Sequence, residues 1–275
     1  METRNGKRSI VPHLTGPVVQ FRQTMHQAKM RAQQHGRLVD QGLDIHDYTA
    51  ISATHVAVPL RLYKSLSPKA DGAVMIYFHG GGWAMGDLDG EDSTCRLLCV
   101  ECDLHIVSVG YRLAPENPYP AAILDSITAL HWVLSSIPIG KNHFVLCSSK
   151  LHYQKMGLKS MNECINTPIL NRQSMKQFLG WYQPDDTANP IVSPLLSSQL
   201  HRSPPSFILI CGHDPLRDEA LAYADKLEEN GIPVQVAVYQ GLPHAFWIFP
   251  GLLTTKTAMR DLINGVGWLI AQSRG

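Results

Sequence analysis

The chain has 275 residues, with 24 Lys+Arg against 23 Asp+Glu for a formal net charge of +1; 44% of its residues are hydrophobic and 17% charged. That balance excludes an intrinsically disordered chain, and the near-neutral charge lacks the basic footprint of a dedicated nucleic-acid binder. No apolar run reaches the roughly 20 residues that span a bilayer, and six cysteines spread over this length make no disulfide scaffold.

The first 37 residues carry seven basic side chains against one acidic. Val18 to Gln34 shows a weak helical stripe and reads as a surface or lid helix. The basic residues of the opening are not followed by an apolar stretch, so no secretory signal is expected and a cytoplasmic location is. Residues 1–54 read as an N-terminal lid or cap segment, and 55–275 as the main domain.

From residue 55 short β-rich runs alternate with helical ones. His55 to Tyr63 alternates at period two, with Pro59 marking it as an edge strand. Ala73 to Phe78 is a continuous apolar run, as in a strand covered on both faces. Glu91 to Cys102 reads as helix and His105 to Val109 as strand. Pro120 then opens a helix with Ile123, Ile127, Leu130 and Leu134 on one face. Phe144 to Cys147 is a further short strand, followed by a helix over Gln173 to Trp181. Phe207 to Ile210 is strand, Leu216 to Asn230 helix ended by Gly231, Val234 to Tyr239 strand, and Lys256 to Gln272 the last helix. This alternation predicts an α/β fold, a mostly parallel sheet with helices on both faces. Such sheets carry their functional loops at the carboxyl ends of the strands.

Three loops there hold chemistry. His79-Gly80-Gly81-Gly82-Trp83 follows the Phe78 strand directly. Consecutive glycines let backbone N–H groups approach a ligand, which suits an oxyanion. The spacing fits neither a dinucleotide fingerprint, since Met85 stands where glycine is needed, nor a P-loop, since Asp87 follows Gly86. Asp214 ends the Phe207 strand and His244 follows the Val234 strand. Their separation matches one strand–helix–strand unit, which places them on neighbouring strand tips. Asp214 reads either as a helix cap or as the acid that orients a histidine base. The Cys95, Cys99 and Cys102 stripe reads as core packing, and no metal motif is visible. Trp83, Trp181 and Trp247 read either as the lining of an apolar pocket or as packing.

Four motifs together, His79-Gly-Gly-Gly-Trp83, Tyr111-Arg-Leu-Ala-Pro-Glu116, Asp214-Pro-Leu-Arg-Asp218 and Gly241-x-x-His244-x-Phe246, resemble the hormone-sensitive-lipase family of α/β-hydrolases. The resemblance covers about residues 55–275. It implies a cofactor-free serine carboxylesterase acting on a small-molecule ester, of the kind found in fungal polyketide pathways. Asp214 and His244 would belong to the triad, and His79, Gly80, Gly81 and Gly82 to the oxyanion loop. Arg112 and Glu116 would brace their own loop.

The family's nucleophile elbow, G-x-S-x-G, occurs nowhere in the chain. Ser148 and Ser149, at the end of Phe144-Val-Leu-Cys-Ser-Ser149, are the nearest candidates, but no glycine flanks them. Ten residues separate Leu134 from Phe144, too few for a strand, an elbow and a helix. One strand–elbow–helix unit is therefore expected to be missing, leaving the chain inactive and the sheet open unless Phe144 to Ser149 fills the vacant strand position. The rival readings are a non-catalytic small-molecule binder on the same fold and a truncated, non-functional product.

Overall fold

The computed structural model describes residues 16–24, 42–66, 73–137, 144–148, 158–249 and 251–272. Within the predicted N-terminal helix, residues 18–24 are helical (α1); the remainder of that prediction lies outside the described residues. The chain forms two compact units, one built from residues 16–150, 180–184 and 270–275, the other containing 151–179 and 185–269.

The first unit holds β1 (Leu43–Ile51), β2 (Ala57–Ser65), β3 (Val74–Phe78), β4 (His105–Val109) and β5 (Phe144–Ser148), hydrogen-bonded in the order β1-β2-β4-β3-β5. β1 lies in the segment assigned to the cap, and it pairs along its whole length with β2. Its residues are mostly exposed or half-buried, so its apolar alternation is faint in the sequence. β2 is antiparallel to β1 and to β4, while β3 is parallel to both β4 and β5. The edge-strand prediction for β2 is therefore corrected: it is flanked on both sides. Pro59 is tolerated because it stands at the end of the β2–β4 ladder, where its carbonyl accepts the Gly110 N–H at 2.9 Å and only its own missing N–H goes unused.

Alternate residues of the strands serve opposite faces. Leu60, Leu62, Val74, Ile76, Val107 and Val109 pack with Ala122, Ala129 and Val133 of α3 (Ala121–Ser136). On the other face Tyr63 is buried, its hydroxyl donating to Asp92 of α2 (Asp92–Glu101) at 2.8 Å. Each buried aliphatic side chain here contributes about 1.5–3 kcal/mol. The predicted apolar face of α3 is corrected in part: Leu130 packs against this core cluster and Ile123 is half-buried, but Ile127 and Leu134 face outward. Small residues let that helix sit close to the sheet, so Ala122, Asp125, Ala129 and Val133 turn inward, while Leu124, Ile127 and Leu134 stand exposed.

In the second unit β6 (Ser206–His213) and β7 (Val234–Pro243) form a parallel pair, a separate two-stranded sheet. α6 (Arg217–Glu229) connects them, after α4 (Lys159–Glu163); α5 (Arg172–Tyr182) and α7 (Leu253–Gln272) lie in this unit up to Leu179 and Leu269 respectively. Cys211, Tyr239, Phe246 and Ala258 form its buried cluster. No helix among the described residues is long and apolar enough to cross a membrane.

Candidate active site

The glycine loop leaves β3 after Phe78. The His79 ring is fully buried, stacked on Tyr111 with centroids 4.1 Å apart. The Tyr111 hydroxyl donates to the His79 carbonyl at 2.8 Å, and burial raises that phenol's pKa well above its ordinary value. His79 Nδ1 lies 2.8 Å from the Gly80 carbonyl. The histidine ring thus packs inside the loop's scaffold. Gly81 and Gly86 have φ of +124° and +102°, where a Cβ would come within 2.2 Å of the Met85 carbonyl and 2.1 Å of His79 Nδ1 respectively. The Gly81 carbonyl accepts from the N–H groups of Ala84 and Met85. The N–H groups of Gly80, Gly81 and Gly82 make no hydrogen bond among the described residues.

Two ion pairs hold the neighbouring loop. Arg112 is bonded through Nε and Nη2 to Asp125, a buried carboxylate on α3 that also accepts the Arg112 N–H at 2.8 Å. Glu116 makes a two-point pair with Arg22 of α1, at 2.8 Å on each oxygen. The same guanidinium donates to the carbonyls of Ala84 and Ala114, tying the glycine loop to the 111–116 loop. Asp125 and Arg22 belong to none of the four motifs, because their partners lie 13 residues away for Asp125 and 62 to 94 residues away for Arg22. Trp83 stacks on Tyr182 at 4.1 Å, and Trp181 meets Phe21 edge-on, whereas Trp247 packs on Phe246 in the other unit's core.

In the second unit the last paired residues are His213 and Pro243, so Asp214 and His244 are each the next residue out. His244 Nδ1 lies 2.8 Å from Asp214 Oδ2. Asp214 Oδ1 accepts the Leu216 N–H at 2.9 Å, a local turn two residues on, and the helix-cap position belongs to Leu216 itself. Of the two readings left open for Asp214, its second oxygen takes the histidine. Burial alone would lower the imidazole's pKa; the adjacent carboxylate outweighs it and the net shift is upward. With Nδ1–H directed at the carboxylate, Nε2 is the basic nitrogen.

Ser148 is the last residue of β5 and pairs in register with Phe78, immediately before the glycine loop. Ser149 lies outside the described residues. β5 thus sits directly beside β3. Among the described residues no group of three or more His, Cys, Asp or Glu could hold a metal ion. Cys95 and Cys99 are buried, and the Cys99 thiol donates to the Leu104 carbonyl at 2.9 Å while burial raises its pKa to about 12.

A family model for the α/β hydrolase fold matches residues 75–150 and 141–248, and the two matches overlap on the stretch that holds β5. The chain is 34% identical over 240 aligned positions to the esterase LipI of Mycobacterium tuberculosis, covering 72% of this chain and 75% of that one. It is 26% identical over 262 positions to the versiconal hemiacetal acetate esterase of Dothistroma septosporum, covering 79% and 80%. The fold is shared with a solved hyperthermophilic esterase from Pyrobaculum calidifontis, at TM-score 0.82, 22% identity and 94% coverage of both chains. In the LipI alignment, 72% of 275 residues is about 198, so about 42 of the 240 positions face no residue of this chain. In the versiconal esterase alignment about 45 of the 262 positions likewise face no residue of this chain.

Proposed function

We propose that this chain, which belongs to the hormone-sensitive-lipase type of the α/β hydrolase fold family, carries the base, the orienting acid and the oxyanion donors of a serine carboxylesterase but lacks its nucleophile elbow. The observation that carries the reading is the 2.8 Å contact between His244 and the buried Asp214 on adjacent strand tips. In that reading Asp214 fixes the imidazole tautomer, and His244 Nε2 takes the proton of an attacking hydroxyl and later returns it to the leaving alcohol. The N–H groups of Gly80 and Gly81, uncommitted within the described chain, receive the charge that develops on the ester carbonyl. His79 supports those donors through its buried ring. The substrate is a small-molecule carboxylic ester, and the likeness to a versiconal esterase favours one of secondary metabolism.

The absence of the elbow has independent support. The sequence has no G-x-S-x-G, the strands among the described residues bond as two sheets of five and two, and some 40 aligned positions of the relatives have no counterpart. Losing the serine of a triad costs on the order of 10⁶ in kcat, as measured in subtilisin, or roughly 8 kcal/mol. A fluorophosphonate probe tests the missing nucleophile: stoichiometric labelling of the 275-residue chain overturns it. Grafting a relative's strand–elbow–helix segment ahead of Lys159 tests the esterase assignment. Hydrolysis of p-nitrophenyl acetate is expected from the graft and is lost again in His244→Ala; a folded but inert graft refutes the assignment.

A further inference from the structure

Ser160 takes part in none of the motifs, yet it is completely buried on the short helix α4. Its hydroxyl donates to the Pro215 carbonyl at 2.8 Å and accepts the Asp218 N–H at 3.3 Å. Its own N–H donates to Asp218 Oδ2 at 2.8 Å. All three bonds end on the turn that carries Asp214, although more than fifty residues separate the two segments. Arg217 extends the brace. Its Nε donates to Asp218 Oδ1 at 2.8 Å, its Nη2 to Glu163 at 2.7 Å and its Nη1 to the Gly212 carbonyl at 3.2 Å. The carboxylate of Asp214 is thereby flanked by anchored backbone on both sides, at Gly212 and at Pro215.

We propose that Ser160 is a positioning residue for Asp214, with Arg217 and Asp218 linking α4 to the acid turn so that the carboxylate stays directed at His244. The proposal rests on Asp214 as the orienting acid, and it gives α4 a role that its sequence does not announce. Within the turn itself, among the described residues, Asp214 accepts from the N–H groups of Leu216 and Arg217. A buried hydroxyl whose partners all lie on one foreign turn restrains that turn's displacement.

The imidazole reports the carboxylate's position without any need for catalysis. Asp214 is the charged group bearing on His244; the buried Cys164 thiol, raised by burial, lies among Arg217, Asp214, Glu163 and Asp218. The experiment is a proton NMR titration of His244 in the 275-residue chain and in its Ser160→Ala, Arg217→Met and Asp214→Asn variants. Ser160→Ala is expected to lower the His244 pKa by most of the drop seen in Asp214→Asn, and Arg217→Met to lower it by less. A folded Ser160→Ala chain with an unchanged pKa overturns the proposal. Should Ser160→Ala not fold, the half-buried Arg217 decides, and an unchanged pKa in Arg217→Met overturns it. A pKa unmoved even in Asp214→Asn refutes the acid–base pair itself, which separates the two failures.

Discussion

Asp214 and His244 each stand one residue beyond the last paired position of its strand, His213 opposite Pro243, and meet at 2.8 Å. Parallel pairing makes that meeting a consequence of register: two loops leaving the same edge one position past the ladder start a strand spacing apart. The polar pair is then set by the sheet, and burial of Asp214 gives it strength.

The pH dependence follows from this. His244 has a folded-state pKa above its ordinary value, so the pair's contribution to stability is complete below the unfolded pKa of about 6.5 and is lost as pH rises through the folded value. Asp214→Asn removes the carboxylate but leaves the burial, so the imidazole is expected to titrate below 6.5. Urea unfolding at pH 5 and at pH 8.5 checks the sign. The wild-type chain should lose more stability than the variant between those two values, and equal losses contradict the account.

Much of this was legible because strand tips and glycine runs are local signals. The triglycine loop, the Asp214-to-His244 spacing and the helix starts each follow from a few adjacent residues. What escaped was non-local. β1 shows little alternation because most of it is exposed, and β2 keeps Pro59 because it stands at the end of the β2–β4 ladder, with its carbonyl bonded to the Gly110 N–H. The inward face of α3 departs from its aliphatic stripe for an energetic reason: close approach to a sheet rewards alanine, and Asp125 is buried there because Arg112 meets it. Asp125, Arg22 and Ser160 each act on a partner far along the chain, which no short pattern encodes.

Gly86→Ala is expected to destabilise by about 1–3 kcal/mol, since its φ is positive and its Cβ would lie 2.1 Å from His79 Nδ1. Gly180→Ala in α5 meets nothing within 4 Å and should stabilise by about 0.5–1 kcal/mol through helix propensity. Thermal unfolding of the two variants side by side distinguishes them. Equal effects mean that the loop relaxes around an added methyl.

Asp125→Ala removes the partner that holds Arg112 and its loop. Hydrogen bonds to charged groups contribute about 1.5–3 kcal/mol, and the guanidinium, one-third exposed, recovers part of its solvation. A loss near the lower end of that range is expected in denaturant unfolding. Arg112→Ala is expected to cost more, because it strands a carboxylate that is only 1% exposed. The reverse ranking contradicts the burial argument.

The outward face of α3 bears on the proposal that a segment is missing. Leu124, Ile127 and Leu134 are 51%, 45% and 59% exposed, and the helix carries a single charged residue, which points inward. An apolar stripe of this kind promotes self-association, and a chain short of some 40 family positions has lost candidates to cover it. The triple change of Leu124, Ile127 and Leu134 to Gln is expected to leave stability within about 0.5 kcal/mol per site while reducing concentration-dependent light scattering. Ala129→Gln, one turn away on the inward face, should instead cost several kcal/mol, since it buries an unpaired amide. If the triple variant unfolds as readily as Ala129→Gln, the stripe is covered in solution and the outward face of α3 is not bare.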